Sequence, residues 1–194
     1  MDQYQNEFKL AVERTLRLGY KTSTFAPRKQ RILLDKFKSR KLGRTIQTSL
    51  SGSGFLKPYG LATNCTTVSQ RIQAPLSEAL GIGSFLTVGW VHLNGTKLWE
   101  FNEDDFIRWT TGASNNRSRE VEVHAWVTLD TLEIVDATFK STFAMLHGIP
   151  DDMGLITSHP YDLPRGCTYH PIVVGNEALD AIENSRVAHL MSQR

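Results

Sequence analysis

The sequence predicts an α+β fold, in which an antiparallel sheet packs against helices and a helical segment comes first. Apolar residues recur at helical spacing over residues 3–18. Asn94-Gly95 separates two apolar, β-prone runs, which is the strongest short-range signal for a hairpin. Residues 121–129 alternate between apolar and other side chains, as a half-buried strand does. Because a helical start is followed by strands that can pair as neighbours, the α+β class is favoured.

The first 50 residues predict two helices, the second strongly basic. One covers residues 3–18, and the other starts near Pro27 and runs to Gly43. This part carries 12 Lys and Arg against 4 Asp and Glu (+8), whereas residues 51–194 carry 10 against 16 (−6). The small polar stretch 48–54 coincides with the change of sign. We therefore predict a basic helical segment over residues 1–50 and a second domain over residues 51–194.

The elements predicted after residue 50 continue this mixture of helices and strands. The Cys65 helix contains Pro75, which should kink or split it because proline lacks the N–H and crowds the preceding turn. The predicted helices cover residues 65–80, 103–109, 139–147 and 177–191, and the predicted strands cover 84–93, 96–101, 120–129, 132–137 and 171–174. Polar or irregular stretches are predicted at 112–119 and 148–169.

The composition is that of an ordinary soluble globular protein, with 40% hydrophobic and 22% charged residues. The sequence predicts no membrane span and no Sec signal, so we expect a cytoplasmic protein or one exported without such a signal. Cys65 and Cys167 are too few for a disulfide framework and lack the paired spacing of a zinc site. The histidines are scattered along the chain, so no metal site is expected.

Three residues predict a nucleophile, a base and a carboxylate that orients the base. Cys65 lies where a loop gives way to a helical pattern, and a helix N-terminus lowers the pKa of a thiol. His124 lies on one predicted strand and Asp136 at the end of the next. Two facing strands can bring residues 12 apart in sequence into hydrogen-bond range. His124 could then hold the thiol proton while Asp136 fixes the imidazole tautomer.

The segments Tyr59-Gly60-Leu-Ala-Thr-Asn64-Cys65, His124-Ala-Trp126-Val and Asp136-Ala-Thr138 resemble the transglutaminase-like branch of the papain-like cysteine enzymes. In that family a Cys opens a helix, and a His-Ala-Trp strand and an Asp-x-Thr strand supply the rest of the triad in this order. The likeness covers about residues 58–140. It implies a transglutaminase-like or papain-like core, a thioester intermediate, and a protein or peptide substrate. It also favours a thiol-dependent hydrolase, a cysteine protease or deamidase that needs no cofactor.

The sequence also suggests which groups near the triad could donate hydrogen bonds to an oxyanion. The backbone N–H of Cys65 is the first predicted donor, and the Asn64 side chain is the second. Trp126 shares a strand face with His124 and either shields the pair from water or serves sheet packing. The chain departs from the family at Thr66, where a tryptophan often follows the cysteine. Each triad residue also has a plain alternative, which for Cys65 is a buried small hydrophobe.

Two other functions stay open at this point. Transfer to an amine, as in transglutaminases or arylamine acetyltransferases, would use the same triad as an acyltransferase. A non-catalytic binding module would instead use the basic helix, where residues 28–44 carry eight basic residues and one acid. No known nucleic-acid-binding motif accompanies this block, so nucleic acid is disfavoured as its partner. A solvated helix face or a dock for an acidic partner is the favoured interpretation.

Overall fold

The computed structural model describes residues 3–111, 122–151 and 153–192, and these form six α-helices, six strands and a short 3-10 helix. The strand pairs described below are antiparallel, so the predicted α+β class is confirmed. The polar loop predicted at 112–119 and the first residues of the strand predicted at 120 lie outside the described residues. The bounds are α1 Gln3–Arg17, α2 Lys36–Leu50, α3 Cys65–Leu80, β1 Ser84–Leu93, β2 Thr96–Leu98, α4 Glu103–Thr111, β3 His124–Leu129, β4 Ile134–Asp136, α5 Phe139–His147, β5 Ile156–Ser158, β6 Cys167–Val174 and α6 Asn176–Ser192, with the 3-10 helix at Pro160–Asp162 between β5 and β6.

The chain divides into two compact units, each assembled from separate stretches of sequence. Unit 1 consists of Met1–Thr24, Thr87–His124 and Arg165–Arg194, and unit 2 consists of Phe25–Leu86 and Ala125–Pro164. Residues 25–50 therefore belong to the same unit as α3. The division of the chain into a basic segment and an enzyme domain stays a prediction.

In unit 1, the part of β1 from Thr87 onward pairs antiparallel with β2 and with β6. Asn94 and Gly95 both have positive φ, 49° and 88°, as a two-residue type I′ turn requires, and the predicted hairpin is confirmed. The strand β2 ends at Leu98 because Trp99 has a φ of 58°, outside the β region. Helix α1 packs against β6, and α4 packs against α6.

The core of unit 2 forms between α2, α3 and the strands β3 and β4. Buried apolar residues recur every three or four positions along both helices, so each helix presents one apolar face. The strands contribute Val127, Leu129 and Val135 to the same cluster. The helix residues in this core are Leu42, Ile46 and Leu50 of α2 and Val68, Ile72, Leu76 and Leu80 of α3.

The second helix starts later and ends later than the sequence pattern predicted. Asp35 caps α2, because its side chain accepts the backbone N–H of Phe37 at 2.7 Å and of Lys38 at 3.2 Å. The helix then continues through Gly43 to Leu50, because its buried face extends two turns beyond that glycine. Pro75 does not split α3, which is continuous from Cys65 to Leu80.

Two carboxylates at the turn between β3 and β4 hold the irregular segment before α2. Glu133, 1% exposed, accepts the backbone N–H of Ile32 at 2.9 Å and of Leu33 at 2.8 Å. Asp130 accepts the Arg28 guanidinium at 2.8 Å, and its carbonyl accepts the Arg28 N–H, also at 2.8 Å. These long-range bonds occupy backbone N–H groups that would not be available in this geometry if the segment were helical. They explain why the helix predicted from Pro27 does not form there.

The helices of the described residues include none that is both long and apolar enough to cross a bilayer.

Replacing Glu133 by Ala should destabilise the protein strongly. The change leaves the buried N–H of Ile32 without its acceptor, and hydrogen bonds to a charged group contribute about 1.5–3 kcal/mol each. We expect the free energy of unfolding in urea to fall by about 3 kcal/mol. Glu78→Ala, on the exposed face of α3, is the matched control and should change it by less than about 0.5 kcal/mol. Equal effects of the two variants would show that Glu133 does not hold this segment.

Candidate active site

Cys65 is the first residue of α3, as predicted, and it belongs to unit 2. Its side chain is 8% exposed, so the thiol lies at the edge of the buried part of the helix. The preceding Asn64 is the N-cap residue. Backbone N–H groups in the first turn of a helix lack intrahelical acceptors and carry partial positive charge. An anion is favoured at such a helix end.

The loop before Cys65 is held in unfavourable backbone conformations. Tyr59 and Thr63 have φ values of 58° and 60°. The left-handed region is costly for a β-branched residue such as Thr63. Strain of this kind persists only where the surrounding structure imposes it, and it concentrates at functional sites.

Gly60 lets this loop fold tightly. A Cβ atom there would lie 2.6 Å from the carbonyl oxygen of Gly54, so no other residue fits without movement of the backbone. The Asn64 amide donates to the carbonyls of Gly60 at 3.2 Å and Ala62 at 2.9 Å. Both contacts order the loop that precedes Cys65.

Asp151 fastens the same loop to the region around α5. One carboxylate oxygen accepts the Tyr59 N–H at 2.7 Å, and the other accepts the Ser141 hydroxyl at 2.9 Å and the Met153 N–H at 2.8 Å. The Tyr59 hydroxyl also donates to the carbonyl of Ile149 at 2.8 Å. Partial burial acts to raise the pKa of Asp151, but the three donors outweigh it and lower that pKa from its ordinary value of 3.8.

Asp136 ends β4, as predicted, and is completely buried in unit 2. One of its oxygens accepts the Thr138 N–H at 2.9 Å, the Thr138 hydroxyl at 3.1 Å and the Phe139 N–H at 3.0 Å. This carboxylate therefore caps the start of α5. The Thr63 N–H donates to Thr142, one turn into α5, at 3.1 Å. Helix α5 thus links the carboxylate of Asp136 to the loop that leads into Cys65.

His124 is the first residue of β3 and the last residue of unit 1. It is 1% exposed, and within unit 1 its ring stacks on Trp99 with centroids 4.6 Å apart and planes 20° apart. The next residue, Ala125, belongs to unit 2, where its carbonyl accepts the Ser69 hydroxyl at 3.0 Å. Ser69 lies one turn beyond Cys65 on α3. The Ala125 carbonyl is therefore tied to the first turns of that helix.

The other residues singled out from the sequence have different surroundings. Trp126 is completely buried, which suits shielding or sheet packing rather than contact with a substrate. Cys167 is buried on β6. His170 bonds to Glu7 at 3.0 Å. In the part of the chain that the structure describes, no group of three His, Cys, Asp or Glu side chains could hold a metal ion.

Sequence reasoning missed Trp99 and Asp151. Trp99 had been assigned to a strand, and nothing in the local pattern signals its positive φ or its stacking on a histidine 25 positions later. Asp151 contacts residues on both α5 and the loop at 59, contacts that only the tertiary structure creates.

No family model, no curated protein and no solved structure matches this chain. Arguments about its function therefore rest on its own residues.

Asp151→Asn should loosen the loop in a pH-dependent way. Because the folded pKa of Asp151 is lowered, its contribution to stability is present above pH 3.8 and is lost as the pH falls through that lower value. The difference in unfolding free energy between wild type and Asp151→Asn should therefore shrink on acidification. Urea denaturation at a series of pH values measures it, with Glu78→Gln as the control. A difference that does not change with pH would contradict this role.

Proposed function

We propose that this chain is a thiol-dependent acyl-transfer enzyme of transglutaminase-like fold. In this proposal Cys65 attacks an amide carbonyl of a protein or peptide, His124 carries the proton, and Asp136 orients His124. The observation that carries the proposal is the position of Cys65 as the first residue of α3, directly after a strained and tightly fastened loop. A cysteine that only fills space needs neither a helix terminus nor such a loop.

The surroundings of His124 support its part as the base. The Trp99 ring stacks on the His124 ring with centroids 4.6 Å apart, and this contact holds the plane of the imidazole. The Ser69 hydroxyl on α3 bonds to the carbonyl of Ala125, so the residue that follows His124 in the chain is held in unit 2. For Asp136, one oxygen caps α5, and the proposal assigns the other to the imidazole N–H.

The reaction proceeds in two balanced steps. The Cys65 thiolate forms a bond to the carbonyl carbon, and the resulting oxyanion collapses as the C–N bond breaks and His124 donates its proton to the leaving nitrogen. The thioester is then attacked by water, which loses a proton to the imidazole. The C–S bond breaks, which releases the carboxylic acid and regenerates the Cys65 thiolate. A peptide bond gives cleavage, and a glutamine side chain gives deamidation with release of ammonia.

The backbone N–H of Cys65 is the oxyanion donor that the proposal relies on. It is the first N–H of α3, at the positive end of the helix dipole. The Asn64 amide was predicted as the second donor. In this structure it donates to the carbonyls of Gly60 and Ala62 instead. In the proposal it acts on the reaction by ordering the loop. This mechanism requires no metal or organic cofactor.

Water and an amine compete for the same thioester, and hydrolysis is the proposed outcome. The triad places no restriction on the second nucleophile, so transfer to an amine is the alternative. The two differ in their products, a carboxylic acid from water and a new amide from an amine.

Trapping the thioester tests the proposal without knowledge of the natural substrate. The full chain is incubated with a peptide digest of a cell lysate and with hydroxylamine, which converts thioesters to hydroxamates. Wild type and Cys167→Ser should produce hydroxamates detectable by mass spectrometry. Cys65→Ala should produce about 10⁴-fold less, because the nucleophile is lost.

Two controls make this result decisive. Cys65→Ala must keep the unfolding midpoint of wild type, which separates loss of chemistry from loss of fold. Replacing hydroxylamine with ¹⁸O-labelled water reveals hydrolysis, because the heavy isotope enters the product carboxylate. Hydroxamate formation that survives in Cys65→Ala, or that wild type never shows, would overturn the proposal.

A further inference from the structure

The start of α2 combines exposed apolar side chains with unbalanced positive charge. Leu34 and Phe37 are each 74% exposed, the highest values among the large apolar residues of the described chain. They flank Asp35, the residue that caps the helix. Exposed side chains of this size normally occur singly, and a pair within four residues indicates a contact surface. We call residues 29–44 the basic tip.

The basic tip carries one sign of charge with almost no compensation. Within it Arg31 pairs with Asp162, and Arg28, just before it, pairs with Asp130. The remaining basic residues make no ion pair with any carboxylate in the described part of the chain, and they are Lys29, Lys36, Lys38, Arg40, Lys41 and Arg44. Cations in the first turn of a helix also oppose its dipole, so this arrangement costs stability in the isolated protein.

The opposite face of α2 fixes which side chains can reach a partner. Leu42, Ile46 and Leu50 are buried in the core of unit 2, so the helix cannot turn over or insert along its length. Phe37 lies one turn before Lys41 and beside Lys36 on the outward side. Only the first turn and the residues just before it can present apolar groups, and cations surround them.

We propose that the basic tip docks the protein on the surface of an anionic membrane. Charge complementarity supplies the attraction, because basic residues gather at anionic headgroups. Leu34 and Phe37 then enter the boundary between headgroups and acyl chains, as the apolar residues of peripheral anchors do.

The exposure of these side chains favours a lipid surface over an acidic peptide. A side chain that is 74% exposed has little protein surface rising around it. A peptide needs a groove in which to bury its own side chains, whereas a bilayer receives side chains that protrude. This inference is independent of Cys65, so it stands or fails apart from the proposed enzymatic function.

Co-sedimentation with lipid vesicles tests the proposal on the full chain. Wild type should bind vesicles of phosphatidylcholine mixed with phosphatidylglycerol and should not bind vesicles of phosphatidylcholine alone. Leu34→Ser with Phe37→Ser should weaken binding by about tenfold or more, because two apolar groups no longer leave water. Lys36→Gln with Lys41→Gln should also weaken binding and should reduce its dependence on salt.

One further variant serves as the control for vesicle binding. Leu10→Ser, which removes a 55% exposed leucine from α1, should leave vesicle binding unchanged. Binding that the Leu34 and Phe37 changes do not affect would overturn the membrane proposal. So would association with polyglutamate or single-stranded RNA in the absence of vesicle binding, which would assign the basic tip to an acidic macromolecule.

Discussion

The burial of one face of α3 is the constraint on which the rest of unit 2 depends. Val68, Ile72 and Leu76 are fully buried in its core, and they fix both the position and the rotation of the helix. Cys65 and Ser69 continue that face toward the N-terminus. The packing that stabilises the unit therefore also places a thiol at the positive end of a helix. Stability and the proposed chemistry use the same element, so a change in the α3 core should move both.

Three carboxylates, of which Glu133 and Asp136 are buried and Asp151 is partly buried, also organise unit 2. Glu133 holds the irregular segment before α2, Asp136 caps α5, and Asp151 fastens the loop that leads to Cys65. Each accepts backbone N–H groups, and such bonds offset the loss of water on burial. The left-handed conformations of Tyr59 and Thr63 persist because these bonds and the Thr142 hydroxyl over-determine the loop. The proposed nucleophile thus follows a loop that side-chain hydrogen bonds hold in place.

The features that the sequence predicted well are those with local causes. Helices α3 and α5 each end at a glycine with positive φ, Gly81 and Gly148, and the Asn94-Gly95 turn requires only its own two residues. The α+β class and the helical position of Cys65 follow from such signals. The joint action of Cys65, His124 and Asp136 stays a prediction.

What the sequence could not reveal depends on distant partners. The predicted start of α2 was wrong because Glu133, about 100 residues away in the sequence, accepts the N–H groups of Ile32 and Leu33. The strand β5 was missed because it has only three residues and exists through its pairing with β4. The stacking of Trp99 on His124 could not be predicted either, because a pair of stacked rings leaves no periodic pattern in the sequence.

The central claim is the proposal that Cys65 is a nucleophile activated by His124. The most direct measurement is the rate of alkylation of Cys65 by iodoacetamide at about pH 6, followed by mass spectrometry in wild type and in His124→Gln. The account expects Cys65 to react at least about tenfold faster in wild type than in the variant. Equal rates in the two proteins, no faster than that of an ordinary thiol, would contradict it.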